Sequence, residues 1–394
     1  MLQKVQLAPM SGSEAVAKSV IQSNVDFVSA YPITPQTIIV ERISDLVGEG
    51  GTKTTFVNVE SEHSAISACV GASLAGARSF TATSSQGLAL MHEVLYLTSG
   101  LRVPLVMAVA NRALSAPINI HGDHSDMMGS RDAGWIQYYV ENGQEAYDWV
   151  MQAFRVAEDD RVMMPFTVNM DGYVITHSVE PISLIDQATV DKFLPPRIAK
   201  TRLDVNNPMT FGTLTLPDYY TEFKRQQEEA MRNTPAVFDE VTSEFAQLVG
   251  RGYKQLFPYE LDGAKVIVVS LGSASGTIRY VARDLRKKGL PVGALRVGLF
   301  RPFPSEQFAK LVENADVIVI LERAMSLGSR VGPLASEIVN SLYDRPSKPR
   351  ILDFIAGLGG RDLAPETIEK LFRNGLEASA KPSGLEMDFL GVRE

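Results

Sequence analysis

The chain has 394 residues, of which 45% are hydrophobic and 21% are charged, and it contains 30 glycines and 21 prolines. This length suits two domains rather than one, and the composition is that of a folded α/β protein rather than a disordered or fibrous one. The formal net charge of −8 at pH 7, together with the lack of a Lys/Arg cluster, argues against a nucleic-acid partner.

The first part of the chain, from residue 13 to residue 170, alternates amphipathic stretches with short apolar runs. This pattern is typical of β-α-β units around a parallel sheet. The predicted strands lie at 27–30, 55–59, 79–82, 104–109 and 165–169. Because ligands collect at the carboxyl ends of strands in open α/β sheets, polar residues that follow these strands are expected to share one site.

Between about residue 181 and residue 258 the alternation stops. The segment contains Pro195-Pro196 and Asn206-Asn207-Pro208, and then a charged stretch at 218–254 that predicts a helix. A second alternating block follows, with predicted strands at 266–270, 292–297, 317–321 and 351–355. We therefore expect three parts, namely a sheet domain at 1–180, a connecting arm with a helix at 181–258 and a smaller α/β domain at 259–394.

Four segments in the first third of the chain place polar side chains at the ends of predicted strands. They are 31–35 (Tyr-Pro-Ile-Thr-Pro), 60–63 (Glu-Ser-Glu-His), 83–87 (Thr-Ser-Ser-Gln-Gly) and 111–117 (Asn-Arg-Ala-Leu-Ser-Ala-Pro). Together they bring a hydroxyl, two carboxylates, an amide and a guanidinium to one rim of the sheet. Such a set of convergent polar groups can hold a cofactor and a small acid.

Each segment also has an ordinary structural explanation. Thr34 lies between two prolines in a stiff turn, where it could cap the following helix. Glu60 and Glu62 could stabilise a helix N-terminus, and Arg112 could be a surface residue at a strand end. Residues 84–86 could cap a helix or direct its free N–H groups towards a ligand.

The same four segments resemble those of the α subunit of pyruvate:ferredoxin oxidoreductases, within the wider 2-oxoacid:ferredoxin oxidoreductase family. The resemblance continues through 131–137, 171–173, 301–304 and 353–362, so it covers nearly the whole chain in the same order. It implies that residues 1–180 form a parallel-sheet domain of the pyrimidine-binding type found in thiamine diphosphate enzymes. By the same resemblance, the second and smaller α/β domain is similar to the C-terminal domain of transketolase.

The resemblance implies roles for individual residues. Glu62 would hydrogen-bond N1′ of the aminopyrimidine ring and so activate the cofactor, and Glu60 is the alternative two positions away. Arg112 would bind the substrate carboxylate through its planar fork, and Thr34 would make a polar contact with the substrate. The remaining cofactor-binding residues implied by the resemblance are Pro32 and Ile33.

Partner subunits are expected from the same resemblance. In this family a β subunit supplies the binding of Mg²⁺ and of the diphosphate, and this sequence has no Gly-Asp-Gly followed by paired Asn that would do so. Electrons would leave through 4Fe–4S clusters on partner subunits and reach ferredoxin, and the expected partners also include a ferredoxin-like δ subunit and a γ subunit. The single cysteine, Cys69, cannot hold such a cluster, and its apolar surroundings favour a buried, unreactive thiol.

Two further motifs have competing interpretations. His121, Asp123, His124 and Asp126 crowd potential metal ligands into six residues, but the resemblance indicates a loop that shapes the active site and its subunit contacts. Whether these four side chains act in catalysis stays open. In the second domain, the glycine-rich turn 272–276 could bind a phosphate or pack a helix against the sheet.

The implied activity is the oxidative decarboxylation of pyruvate with coenzyme A to acetyl-CoA and CO2, with transfer of electrons to ferredoxin. The alternatives are the same reaction on a branched-chain 2-oxoacid or 2-oxoglutarate, and a scaffold subunit without catalysis. Retention of Thr34, Glu62 and Arg112 together argues against the scaffold. Because the sequence has no secretory leader pattern and no apolar run of about 18 residues, we expect a cytoplasmic protein without a membrane partner.

Overall fold

The computed structural model of the protein describes residues 6–346 and 348–393, which form fifteen strands and thirteen α-helices. The strands are β1 (Gln6–Ser11), β2 (Phe27–Ala30), β3 (Thr55–Asn58), β4 (Ser79–Thr83), β5 (Val106–Asn111), β6 (Ile136–Tyr139), β7 (Phe166–Asp171), β8 (Val179–Leu184), β9 (Leu256–Tyr259), β10 (Val266–Ser270), β11 (Val292–Val297), β12 (Leu299–Arg301), β13 (Val317–Glu322), β14 (Arg350–Ile355) and β15 (Leu385–Phe389).

The helices connect these strands, mostly as crossovers between parallel neighbours. They are α1 (Gly12–Gln22), α2 (Thr37–Gly48), α3 (Glu62–Leu74), α4 (Ser85–Leu90), α5 (His92–Gly100), α6 (Ser125–Met128), α7 (Gly143–Ala157), α8 (Gln187–Phe193), α9 (Pro217–Val249), α10 (Ala274–Lys287), α11 (Ser305–Leu311), α12 (Pro333–Leu342) and α13 (Pro365–Ala378). A short 3-10 turn covers Leu358–Gly360.

The first sheet has seven strands in the order β12-β6-β7-β5-β4-β2-β3. All neighbours in it are parallel except β12, which runs antiparallel to β6. Strands β4, β5, β6 and β7 are buried along their whole length, as expected of parallel strands covered by helices on both faces. The carboxyl ends of β2 to β5 therefore meet at one edge, where the predicted site residues lie.

The second sheet has six strands in the order β15-β14-β13-β10-β11-β9, and only β9 is antiparallel to its neighbour. Two separate apolar clusters cover its two faces. The β-branched run of β10, Val266–Ser270, is entirely buried between them, which follows from its position in the middle of a parallel sheet. The predicted α/β fold, with a parallel-sheet first domain and a smaller second one, is confirmed.

Each of the nine predicted strands is present, with ends shifted by no more than two residues. The predicted charged helix is α9, whose apolar face packs into the core of the first sheet through Val237, Phe238 and Phe245. Strand β12 was not predicted, because it has only three residues and follows β11 almost directly in the sequence, so it shows no periodicity of its own. The division of the chain at residues 180 and 258 stays a prediction.

The length and composition of the helices bear on whether any of them could cross a membrane. Within residues 6–346 and 348–393, no helix combines the length and the apolar character that crossing a membrane requires. The longest helix, α9, carries charged side chains along its exposed face, including Arg232 and Glu228, which form an ion pair.

Candidate active site

Glu62 lies at the first position of α3, which begins after a short turn at the end of β3. The N-cap residue Ser61 fixes this start, because its hydroxyl accepts a hydrogen bond from the backbone N–H of Ser64 at 3.2 Å. The side chain of Glu62 is only 7% exposed. Within the described residues its carboxyl group has neither a hydrogen-bond partner nor an ion pair, so a buried acidic group is left free to meet a ligand.

The end of β4 and the first turn of α4 form the wall next to Glu62. A Cβ atom on Gly87 would lie 2.7 Å from Oε1 of Glu62 and 2.5 Å from Oγ1 of Thr83, so only glycine fits there. The Thr83 hydroxyl is fully buried and has no hydrogen-bond partner in the described part of the chain. The Glu62 carboxyl thus sits against a glycine that leaves it space.

The loop that carries Pro32, Ile33 and Thr34 is held by a buried glutamine. Gln36 accepts from the backbone N–H of Ile33 at 3.1 Å and donates from Nε2 to the carbonyl of Ala82, at the end of β4, at 2.9 Å. Pro32 and Thr34 are exposed and Ile33 is half-buried. The loop is therefore fixed in place while its residues stay accessible to a ligand.

Arg112 follows β5 and is 6% exposed. Its Nη1 donates to the backbone carbonyl of Thr34 and its Nε donates to the backbone carbonyl of Asn119, both at 2.9 Å. No carboxylate of the described residues forms an ion pair with it, and Nη2 has no hydrogen-bond partner among them. A buried guanidinium held only by neutral groups is well suited to bind an anion.

Asp126 connects these strand ends from the interior. Its Oδ2 accepts from the backbone N–H groups of Ser85 at 3.0 Å and Arg112 at 2.9 Å, while its Oδ1 accepts from Nδ2 of Asn111 at 2.9 Å and from the N–H of Met127 at 2.7 Å. Burial raises the pKa of Asp126 to about 6, although the hydrogen bonds it accepts act in the opposite direction. One carboxylate thus links the start of α4 to the end of β5.

The segment that follows Arg112, residues 112–125 and here named the Arg112 loop, reaches the second sheet domain. His124 Nε2 lies 2.6 Å from Oδ1 of Asp171, whose Oδ2 lies 2.8 Å from Nη1 of Arg323. Burial alone would raise the pKa of Asp171, but Arg323 and His124 together hold it well below its ordinary value. Ser273 in the glycine-rich turn also donates its backbone N–H to Asp171, at 2.7 Å. That turn therefore packs against a carboxylate of this chain.

The four potential metal ligands at positions 121–126 do not converge in the structure. His121 stacks near Tyr173, with ring centroids 4.7 Å apart, and Asp123 accepts from Ser125 and Gly359. His124 and Asp126 have the partners already given. Within the described residues no group of three or more His, Cys, Asp or Glu is arranged to hold a metal ion. Cys69 is buried, and burial raises the pKa of its thiol to about 12.

The structure brings Glu62, Thr34 and Arg112 to the same edge of the first sheet, as their positions after β3, β2 and β5 predicted. Glu60, the alternative to Glu62, is exposed to solvent, and its carboxylate accepts a hydrogen bond from the Ser64 hydroxyl. Sequence reasoning missed the linking function of Asp126 and the contact made by Arg323. Neither could be found from spacing, because each depends on which main-chain groups the folded loops bring within reach.

The residues present fit one half of thiamine diphosphate. The aminopyrimidine ring requires a carboxylic acid at N1′, and Glu62 is buried, unpaired and set beside a glycine that leaves room. The diphosphate requires a metal-binding group, and the described residues provide none. The described residues at this edge of the first sheet therefore fit the pyrimidine end of the cofactor.

Comparison with known proteins agrees with this geometry. Residues 18–243 match the family described as "Pyruvate flavodoxin/ferredoxin oxidoreductase, thiamine diP-bdg", and residues 264–368 match "Pyruvate:ferredoxin oxidoreductase core domain II". The chain is 46% identical over 391 residues to "Pyruvate synthase subunit PorA" of Thermotoga maritima, with 99% of each chain covered. It is 40% identical over 364 residues to "Ketoisovalerate oxidoreductase subunit VorA" of Pyrococcus abyssi, with 92% of this chain and 91% of that protein covered.

A solved structure extends the comparison to the fold. The 2-oxoglutarate:ferredoxin oxidoreductase from Magnetococcus marinus superposes with a TM-score of 0.73 over 94% of this chain and 65% of that chain. At 21% identity this likeness shows the shared fold alone. Since the first family match spans more than half of the sequence and the relatives match over nearly all of it, the chain belongs to the pyruvate flavodoxin/ferredoxin oxidoreductase family.

Proposed function

We propose that this chain is the α subunit of a pyruvate:ferredoxin oxidoreductase, which binds the aminopyrimidine half of thiamine diphosphate and the carboxylate of pyruvate. One observation carries the proposal. At one edge of the first sheet, a buried carboxyl group on Glu62 and a buried guanidinium on Arg112 both lack a charged partner within the described residues. Buried polar groups without partners are costly, so the two side chains support a bound ligand that supplies the missing contacts.

Glu62 is the catalytic residue in this proposal. Its carboxyl group would hold the aminopyrimidine ring by a hydrogen bond at N1′ and so would activate the cofactor. Burial against Gly87 and Thr83 keeps water away from this hydrogen bond and so strengthens it. When it is bound, thiamine diphosphate supplies the electron sink that decarboxylation of a 2-oxoacid needs.

Arg112 orients the substrate. The carbonyls of Thr34 and Asn119 hold Nη1 and Nε, which leaves Nη2 directed to a ligand. A carboxylate bound there is fixed next to the exposed Thr34, whose hydroxyl can donate to it or to the 2-oxo oxygen. Because the positive charge is already desolvated, the ion pair with a small acid is stronger than it would be at the surface.

The proposal includes partner subunits. This chain holds the pyrimidine end of the cofactor only, so a β subunit supplies Mg²⁺ and the diphosphate site, and subunits with 4Fe–4S clusters pass electrons to ferredoxin. Exposed apolar side chains beside the site support such an interface. On α4 and α5 these are Leu90, Tyr96 and Leu97, which are 50%, 46% and 49% exposed. In the Arg112 loop, Ile118 is 78% exposed.

Pyruvate is the proposed substrate because a relative with 46% identity is named pyruvate synthase. A branched-chain 2-oxoacid is the second candidate, since a relative with 40% identity is named ketoisovalerate oxidoreductase. Both acids carry the carboxylate that Arg112 would bind, so the choice depends on how much space remains for the rest of the substrate. That space is bounded by the Arg112 loop and the partner subunits.

The test is turnover by the purified complex. The chain is co-purified with its partners and assayed for CO2 release and viologen reduction with coenzyme A, thiamine diphosphate and each of three acids: pyruvate, 2-oxoisovalerate and 2-oxoglutarate. The highest kcat/KM is expected with pyruvate. A higher value with 2-oxoisovalerate would replace the substrate assignment, and no turnover of any of the three would reject the proposed function.

A variant separates catalysis from assembly. Glu62→Gln keeps the size of the side chain but removes the acid, so we expect turnover to fall by two or more orders of magnitude while the subunits still assemble. Size-exclusion chromatography of the variant complex checks the assembly. If Glu62→Gln leaves turnover unchanged, then the carboxyl group has no catalytic role and the scaffold alternative gains support.

A further inference from the structure

We infer that Asn119 is a positioning residue, which sets the orientation of Arg112 by connecting it to the second sheet domain. The inference rests on the proposed function, because it assigns Asn119 a task in the binding of the substrate carboxylate by Arg112. Asn119 lies seven residues after Arg112 in the Arg112 loop and is half-buried. It touches no atom of the proposed cofactor-binding residues in any hydrogen bond between described residues.

Three hydrogen bonds give Asn119 this position. Its backbone carbonyl accepts from Nε of Arg112 at 2.9 Å. Its Oδ1 accepts from the backbone N–H of His121 at 2.7 Å, and its Nδ2 donates to the carbonyl of Gly359 at 3.0 Å. The acceptor that holds Arg112 at Nε is therefore itself held by a turn of the second domain.

The turn at Gly359 and Gly360 allows the side chains of Asn119 and His121 to approach its backbone closely. Gly359 and Gly360 have φ values of +59° and +78°. A Cβ atom on Gly359 would lie 2.4 Å from Nδ2 of Asn119, and one on Gly360 would lie 2.4 Å from Cβ of His121. Glycine alone meets both demands without strain. The pair of adjacent glycines, which the proposed function does not otherwise use, is explained by this contact.

Further main-chain bonds fasten the same contact. The N–H of Gly360 donates to the carbonyl of Gly122 at 2.8 Å, and the N–H of Gly359 donates to Oδ2 of Asp123 at 3.0 Å. The loop is thus fixed to the second domain just after Asn119. Among the described residues that contact this turn, Asn119 carries the connection back to Arg112, because Gly122 and Asp123 make no hydrogen bond to the guanidinium.

Loss of the Asn119 side chain should weaken substrate binding more than the chemical step. Arg112 would keep its bond to Thr34, but the peptide that holds Nε would lose its tie to Gly359, so the guanidinium would sample more orientations. Substrate would then have to reorder it on binding. Such an effect raises KM and leaves kcat nearly unchanged, because the bound complex is the same.

The experiment uses the assembled complex with pyruvate as the substrate and oxamate as an unreactive isostere with the same carboxylate. For Asn119→Ala we expect a five- to tenfold rise in KM, an equal rise in the inhibition constant of oxamate and a kcat within about twofold of wild type. Gly359→Ala, which acts from the second domain, should give the same pattern. Gly328→Ala is the matched control, because Gly328 has a φ of +79° and no neighbouring atom within 4 Å.

The double variant separates a shared contact from two unrelated defects. Asn119→Ala with Gly359→Ala should raise KM no more than the larger single change, since both remove one contact. Multiplying effects, or a wild-type KM in Asn119→Ala, would overturn the inference while wild-type turnover of pyruvate keeps the proposed function. A wild-type complex that turns over no 2-oxoacid would reject both. Asn119→Ala alone decides the question if Gly359→Ala does not assemble.

Discussion

Gly87 faces Glu62 so closely that a Cβ atom on the glycine would lie 2.7 Å from the Oε1 atom of the carboxyl group. The two residues belong to different helices of the first sheet domain. Glu62 is in α3, between β3 and β4, and Gly87 is in α4, between β4 and β5. The position of the acidic group is therefore set by the absence of a side chain on the facing helix. This relationship makes the glycine a sensitive place to test the site without touching the acid.

For Gly87→Ala we expect a loss of activity of at least about tenfold together with a stability loss of about 1–3 kcal/mol, because the new methyl group must displace Glu62 or Thr83. Turnover and thermal unfolding of the purified protein measure the two effects. Gly71→Ala in α3 is the control, since no atom lies within 4 Å of its Cβ. It should keep full activity and gain up to about 1 kcal/mol of helix stability.

Asp126→Asn tests the carboxylate that links Ser85 to Arg112. All four of its hydrogen-bond partners are N–H donors. The NH2 group of an asparagine would face some of these donors, and it cannot accept their hydrogen bonds. We expect a loss of about 2–4 kcal/mol in unfolding free energy and a raised KM for pyruvate. Denaturant unfolding and steady-state kinetics check both. Asp132→Asn, whose side chain is 72% exposed, should change neither.

Arg112→Lys keeps the positive charge but removes the planar guanidinium group with its several N–H donors. A lysine has one nitrogen and cannot hold the carbonyls of Thr34 and Asn119 while it faces a carboxylate. We expect KM for pyruvate to rise by about 10- to 100-fold. Arg232→Lys on the exposed face of α9 is the matched change and should have no effect. Equal KM values for the two variants would contradict the assignment of Arg112 to the substrate carboxylate.

A buried pair of carboxyl groups in the second domain predicts a pH effect on stability. Burial and the nearby Asp353 raise the pKa of Glu322 well above its ordinary value, and burial raises the pKa of Asp353 to about 6. The folded protein thus holds the Asp353 proton more tightly than the unfolded chain does. The stabilisation is complete below the unfolded pKa of 3.8 and is lost as the pH rises through about 6.

Asp353→Asn should therefore be more stable than wild type at pH 8, by up to about 2 kcal/mol, and should lose this advantage towards pH 4. The amide can still accept from the backbone N–H of Gly332, as Oδ2 of Asp353 does at 2.7 Å. Thermal unfolding across this pH range measures the difference. An advantage that does not change with pH would show that the pKa of Asp353 is the same in the folded and unfolded states.

Nine strands of the two larger sheets could be predicted from the sequence because parallel strands buried on both faces are short continuous apolar runs, such as Val266–Ser270. The same runs placed Glu62, Thr34 and Arg112 at one edge of the first sheet. Strands β1, β6, β8, β9, β12 and β15 were not predicted. Several of them are edge or antiparallel strands, whose pairing partners are distant in the sequence and leave no local signal.

By itself the sequence determined the fold class and the family, and it predicted a set of residues for a cofactor and an acid, because periodicity and short motifs are local properties of the chain. Only the tertiary structure decided how those residues are held. Asp126 reaches Ser85 and Arg112, and Asn119 reaches Gly359 across 240 positions of the sequence. Such contacts end on main-chain groups that every residue possesses. The residue types in the sequence therefore do not indicate which groups will be in contact after folding.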